Sequence, residues 1–384
     1  MFEKALTGSR RYWILLALLA AVILTGFIFY LKQINQGLMV TGMSRDISWG
    51  LYIAQFTFLV GVAASAVTVV LPYYLHDYRV FGKVTILGEF LAISSVAMCA
   101  LFIFVDLGQP FRVLNVFIHP TPNSLMFWDT VVLLGYLLLN LVIGWMSLES
   151  ERRHVPPPAW LRPLIYISIP WAVSIHTITA FLYAGLPGRH LWLSAIIAAR
   201  FLASAFSAGP ALLIILCIIL RKNTRFDVGR EPLQALGKII AYALSAHVFF
   251  ILLEFFTAYY SGIPSHSHSL DYLFFGLDGH ATLVPLLWLS AILAVAALFL
   301  LINPNTRKKE GLLLFSAAAV FASTWIDKGI GFVVGGFIPN PMDRVVEYLP
   351  TVPEIMITLG VWAIGFFILT LLYRITVSVR AQDL

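Results

Sequence analysis

The sequence predicts an all-α, polytopic membrane protein with ten membrane-crossing helices, and three observations carry that prediction. Hydrophobic residues make up 60% of the 384 residues and charged residues only 11%, roughly half the charged fraction of a soluble domain. Mean hydropathy is +0.89. The apolar residues gather into ten stretches, each near the roughly 20 residues that a hydrocarbon core of about 30 Å demands, and Lys and Arg fall in every second loop between them.

The first stretch, 12–31, follows Ser9-Arg10-Arg11. A twin arginine before an apolar run resembles an export signal, but no small-residue cleavage site follows, so a retained helix is expected. The second, 49–75, opens on Ser48-Trp49-Gly50 and carries a small-residue face at Gly61, Ala63, Ala64 and Ser65, which lets helices approach closely. The third, 84–105, lies between Gly82-Lys83 and Gly108-Gln109-Pro110; the fourth, 124–147, starts near Trp128; the fifth spans 162–184. The sixth, 191–220, has a second small-residue face from Ala203 to Gly209, and the seventh, 234–260, lies between Gly237-Lys238 and Gly262-Ile263-Pro264. The eighth, 281–302, starts near Trp288, the ninth is 311–332, and the tenth, 354–376, begins at Glu354. These echoes form a parallel internal repeat. It predicts two four-helix bundles with two peripheral helices: 1–48 for the first helix and loop, 49–190 and 191–353 for the bundles, and 354–384 for the last helix.

Cationic flanks stay on the cytoplasmic side. Lys4, Arg10, Arg11, Arg79, Lys83, Arg152, Arg153, Arg162, Arg221, Lys222, Arg225, Arg230, Arg307, Lys308, Lys309, Arg374 and Arg380 fall on one side; Lys32, Arg45, Arg112, Arg189 and Arg344 fall on the other. Both termini are therefore expected in the cytoplasm of a prokaryotic cell, beneath its inner membrane. The formal charge of +6 is explained by lipid headgroups against these basic loops, with no nucleic-acid partner.

The long loops, 32–48, 106–123, 261–280 and 333–353, lie opposite the basic ones and carry Gly, Pro, Asn and Asp. Ionisable residues within spans cost several kcal/mol unless they have partners or a cavity. Asp106, Asp129, His176, Arg200, Glu254, Asp327 and Lys328 fall toward the long-loop side, His247 near mid-membrane, and Glu89 toward the basic side. Arg200 lies too deep to reach the interface and calls for a buried acidic partner. His247 and Glu254, seven residues apart, share one helix face; with Glu89, His176, Arg200 and Asp327 they are candidates for proton transfer. The segment from Asp106 to Asp129 mixes Arg112, Asn115, His119, Asn123 and Ser124 with Phe111, Phe117, Phe127 and Trp128. Aromatic walls with a few hydrogen-bonding groups suit an amphiphilic ring such as a quinone.

Three sequence runs resemble the NrfD/PsrC family, the quinone-interacting membrane subunits of respiratory complexes. They are Ser48-Trp49-Gly50-Leu51; Asp106-Leu107-Gly108-Gln109-Pro110 with Arg112; and Asn123-Ser124-Leu125-Met126-Phe127. Toward the C-terminus, Gly335-Gly336-Phe337-Ile338-Pro339 and Glu347-Tyr348-Leu349-Pro350-Thr351 with Glu354 resemble its ten-helix branch, which includes the HybB and DsrP subunits. The resemblance implies a menaquinone or other quinone as bound substrate. It also implies an extracytoplasmic, ferredoxin-like iron-sulfur subunit docked near it, with further membrane, cytochrome c or haem subunits in the same complex. By similarity Trp49, Asp106, Arg112, Asn123 and Ser124 belong to the quinone site; Asp129, His119 and Tyr136 join them by depth. Pro120 to Asp129 looks most like DsrP, which implies sulfite or sulfur metabolism.

Cys99 and Cys217 are isolated within spans, so no Cys-ligated cluster or haem attachment sequence is expected. Two rivals remain: a haem b cytochrome with His176 and His247 as axial ligands, and a secondary transporter built on parallel repeats, with Pro72, Pro170, Pro210 and Pro285 in its helices. His266, His268, Asp271, Asp278 and His280 resemble a metal site in composition only and read as a solvated or partner-contact surface, with no metal expected.

Overall fold

Ten helices long and apolar enough to cross a membrane organise the chain in a computed structural model, which describes residues 2–380. In order they are α1 (Arg10–Gln36), α2 (Leu51–Leu75), α3 (Gly82–Asp106), α4 (Leu125–Arg153), α5 (Leu161–Ala184), α6 (Ile197–Asn223), α7 (Arg230–Tyr260), α8 (Val284–Ile302), α9 (Glu310–Gly335) and α10 (Val352–Arg380). An even number of crossings leaves α1 starting and α10 ending on the same side, with the basic loops; this is the basic face, and the opposite side is the loop face.

Helices α2 to α5 pack as one ring of four and α6 to α9 as a second, while α10 lies against α3 and carries α1 on its outer side. The α1–α10 crossing depends on two glycines. A Cβ on Gly26 would stand 2.7 Å from the Gly360 Cα, so only glycine lets these backbones approach. Helix α2 also touches α6 and α9, which makes it the seam between the rings. Its apolar window is completely buried, against 17% for α1, whose Trp13, Leu18, Leu24 and Ile28 face outward as lipid-contacting residues do.

Three features depart from ten uninterrupted rods. Helix α2 loosens at Ala64, whose N–H bonds the Gly61 carbonyl three residues back. There Gly209 of α6 presses in, its hypothetical Cβ only 2.8 Å from the Ser65 nitrogen, so the two small-residue faces meet each other. Second, the sixth crossing does not start at 191. Residues 191–196 form turns, with the Ser194 N–H on the Trp192 carbonyl at 2.9 Å; within this apolar run Trp192 is buried in the protein and Leu193 is exposed. Third, α9 contains a π-helical turn, Trp325–Gly331.

The long loops are structured. A short helix, Pro264–Phe274, occupies most of 261–280. Glu354, fully buried, accepts hydrogen bonds from the Gly42 N–H (2.6 Å), the Thr351 N–H (2.9 Å) and the Tyr348 hydroxyl (2.7 Å), and that hydroxyl accepts from the Leu51 N–H (2.7 Å). One carboxylate thus ties the first loop and the starts of α2 and α10 together. Its role is local and architectural.

Candidate functional site

The second ring closes around an ion cluster. Arg200 on α6 donates one Nη to the Glu254 carboxylate of α7 and the other to both oxygens of Asp327 on α9, at 2.7 and 2.9 Å. His247, two turns before Glu254, shares Asp327 through its Nε2 at 3.1 Å. The expected acidic partner of Arg200 is present twice over, and His247 and Glu254 do present one face to one cluster. Beside it lies a cavity of about 20 Å³, lined by Arg200, Glu254, Asp327 and apolar neighbours such as Leu273 and Phe332, room for about one water molecule.

The first ring presents a different chemistry. Helix α5 places His176, Thr179 and Tyr183 at i, i+3 and i+7, one inward face, and all three are buried. Thr179 donates to Asp129 of α4 at 2.6 Å, and the Tyr183 hydroxyl pairs with Thr57 of α2. Neither ring nitrogen of His176 has a hydrogen-bond partner. Over this polar stripe sits an aromatic roof: Trp49 packs on Tyr183 (centroids 5.5 Å apart), Trp192 (6.0 Å) and Phe337 (5.9 Å), and Phe332 packs on Tyr183 (5.1 Å).

The sequence-nominated residues therefore do not form one site. Asp129, His176 and Trp49 belong to the region around α5. Tyr136 is buried deeper in the ring, its hydroxyl 3.4 Å from the Ala63 carbonyl. Asp106, at the end of α3, has its Oδ1 sealed from solvent without a partner; beside it Gln33 of α1 bridges the Val105 carbonyl (2.6 Å) and the Tyr52 hydroxyl (2.7 Å). Arg112, His119 and Asn123 are exposed on the loop face and Ser124 is half-buried where α4 starts. Glu89 lies in the basic-side half, 1% exposed, with neither oxygen hydrogen-bonded. Thr179, Tyr183, Thr57 and the π-turn were not anticipated. The i, i+3, i+7 spacing of His176, Thr179 and Tyr183 is a signal in the sequence for the two α5 residues; Thr57 and the π-turn have none.

Of the rivals, the haem reading needs His176 and His247 as a ligand pair, yet they belong to different rings and the Nε2 of His247 is engaged by Asp327. The loop histidines disperse: His268 Nδ1 meets Asp343 at 3.2 Å, His280 Nδ1 meets Glu347 at 3.4 Å, and the His266 ring lies beside His190. Among the described residues no group of three or more potential metal ligands gathers.

Buried donors and acceptors left open need water or a ligand. The His176 nitrogens and Asp106 Oδ1 are such groups, the first on α5 within the first ring and the second at the end of α3. Two helix rings with polar interiors under a structured loop face define a class, the multi-pass integral membrane protein with an intramembrane polar site. The family model described as polysulphide reductase, NrfD, matches residues 39–328, and the chain belongs to that family. Among curated relatives, it is similar to a putative dimethyl sulfoxide reductase membrane subunit of Halobacterium salinarum, 28% identical over 92% of this chain and 88% of the relative. It is also similar to a subunit of the selenate reductase of Mesobacillus selenatarsenatis, 23% identical over 70% of each chain. An Hdr-like menaquinol oxidoreductase integral membrane subunit of Archaeoglobus fulgidus is 22% identical over 91% of this chain and 84% of its own.

Proposed function

We propose that this protein is the quinone-reactive membrane subunit of a respiratory electron-transfer complex. In this reading a menaquinone-type quinone reaches the first ring from the bilayer and exchanges electrons with an iron-sulfur subunit on the loop face. The observation that carries it is the α4–α5 arrangement: a buried carboxylate, Asp129, held by Thr179 beside an unpartnered His176, under the roof of Trp49, Trp192 and Phe337. The relatives' names support it: a dimethyl sulfoxide reductase membrane subunit, a selenate reductase subunit and a menaquinol oxidoreductase integral membrane subunit.

Bound there, a quinone supplies two-electron chemistry coupled to two protons. Asp129 accepts hydrogen bonds and takes up or returns a proton; Thr179 fixes its rotamer; His176 either donates or accepts. The aromatic roof excludes water, which strengthens each polar contact. On the loop face, the segment 110–119 exposes Phe111, Leu114 and Ile118 beside Arg112 and His119, a mixed surface suited to partner contact at the headgroup level. Glu89 and the Arg200 cluster are proposed for proton movement and charge balance, in a complex oriented with its basic face in the cytoplasm. Sulfite or sulfur compounds as the ultimate substrate rest on the resemblance of Pro120 to Asp129 alone.

The test is Asp129→Asn in the intact complex. The amide keeps the Thr179 bond but carries no exchangeable acid, so quinone-linked electron transfer is expected to fall about 100-fold, within the range for loss of a general acid or base, with assembly unchanged. Wild-type rates in this variant would remove Asp129 from the site.

A further inference from the structure

Lys328 is a buried lysine whose amine neither ring supplies with a hydrogen-bonded partner. It follows Asp327 in the π-helical turn, and such turns recur at functional positions. The turn directs the two side chains apart: Asp327 meets Arg200 and His247, whereas the Lys328 amine points to the seam. There Nζ lies 4.2 Å from the centroid of the Phe201 ring and would stand 3.2 Å from a Cβ on Gly61 of α2, the glycine that leaves it room. The residue is 3% exposed and Nζ makes no hydrogen bond.

A cation over one aromatic ring gains about 1–2 kcal/mol, less than the several kcal/mol that a buried charge loses. The nearest carboxylate does not close the gap, because Asp327 is already bound to Arg200 by both oxygens. A purely architectural lysine at this depth would have a carboxylate of its own. This amine is therefore buried with no carboxylate or hydrogen bond of its own to hold its charge. The ionisable groups in electrostatic range are Asp327 on α9, Arg200 on α6, Cys99 on α3 and His176 on α5; Asp129 on α4 acts on Cys99. Between Tyr52 and Tyr73, α2 brings no ionisable side chain.

We propose that Lys328 is the proton store of the first ring, exchanging a proton with His176 and Asp129 while the π-turn keeps it out of the Arg200 cluster. This rests on the quinone reading above. When the two quinol O–H bonds break, one proton passes by way of Asp129 or His176 to the neutral amine of Lys328 and the other leaves to water at the loop face, while the two electrons pass one at a time to the one-electron carrier of the partner subunit. In the reverse direction Lys328 returns the proton. Lys328 acts through those residues, so it is a positioning and proton-holding residue.

Lys328→Met and Lys328→Gln in the intact complex test this, with assembly, binding of a menaquinone analogue by tryptophan quenching, and the pH profile of turnover as readouts. Expected are unchanged assembly, binding within twofold of wild type, turnover reduced at least 30-fold, and a pH profile that loses one ionisation. Wild-type turnover with an unaltered profile would overturn the assignment. If neither variant accumulates, Gly61→Ala keeps the lysine and crowds its amine: a several-fold loss of turnover with a displaced profile supports the proposal, and a wild-type profile rejects it. Failure of the wild-type complex to bind the analogue would instead reject the quinone reading itself.

Discussion

The two helix rings treat buried ionisable groups in opposite ways. In the second ring Arg200, Glu254, Asp327 and His247 pair with one another through an oxygen or ring nitrogen of each, with Glu254 Oε1 and His247 Nδ1 left open. In the first, Glu89, His176 and the Lys328 amine reaching in from the seam have no hydrogen-bond partner, and Asp129 has a single threonine. Equal numbers of charges on a hydropathy plot thus hide two physical situations. A closed network resists change, because moving any member exposes the others; open groups are available for exchange.

Breaking that contrast should have its largest effect at Arg200. Arg200→Leu leaves Glu254 and Asp327 buried without a cation, a loss of about 3–5 kcal/mol for one partner of a buried pair. Thermal unfolding in detergent should show a large drop and the yield of folded protein should fall. Replacing Arg200, Glu254 and Asp327 together by apolar residues should recover much of that loss, as it does where a whole buried network is removed. A mild effect of Arg200→Leu alone would mean that the cluster is hydrated and the contrast false. Asp129→Asn supplies the opposite arm, with activity lost and thermal stability nearly kept.

The contrast could be read only in part from the amino acids. The apolar runs and the alternation of basic loops specify ten crossings because bilayer thickness and headgroup charge act on composition alone. Seven-residue spacing brings His247 and Glu254 to one face by helix periodicity, which is also local. Which faces then meet depends on packing between distant helices, so the pairing of Arg200 with both Glu254 and Asp327 was legible only as a need for some acid. The π-turn in α9 left no trace, since its residue types are compatible with an ordinary helix and its extra backbone residue is fixed by neighbours. Asp106, Arg112 and Asn123 are assigned to one site by family resemblance and Asp129 by depth, and neither fixes where the loop between them runs. The chain runs 110–123 across the surface between two helix ends, and so distributes them between a sealed carboxylate and an exposed loop.

Thr179→Val sharpens the comparison at smaller amplitude. The hydroxyl donates the hydrogen bond that holds the Asp129 carboxylate, and valine has nearly the same volume, so packing is retained while Asp129 loses its fixed orientation. Quinone-linked turnover should fall about tenfold, less than in Asp129→Asn, consistent with loss of positioning and not of the acid itself. The unfolding temperature should shift by no more than the roughly 1 kcal/mol of a single neutral hydrogen bond. Loss as complete as in Asp129→Asn would mean that the threonine itself takes part in the proton exchange.

The smallest effect concerns the loops that cover the rings. Over the second ring, Glu347 accepts a hydrogen bond from the Thr282 N–H at 3.1 Å and lies 3.4 Å from His280 Nδ1, a latch between two loops; Arg112 and His119 over the first ring are exposed. Hydrogen bonding from Thr282, aided by His280, holds the Glu347 carboxyl below its usual value of 4.5. A depressed carboxyl stabilises the folded state above the unfolded value and loses that contribution as pH falls through the folded one. The latch should therefore be complete at neutral pH and weaken only as pH drops below about 4.5. Amide exchange in 340–350 should accelerate in that window while exchange in 110–119 stays unchanged, and Glu347→Gln should abolish the pH dependence. Acceleration of both loops together would show that acid acts on the whole loop face, and the distinction between a latched and an open cover would fail.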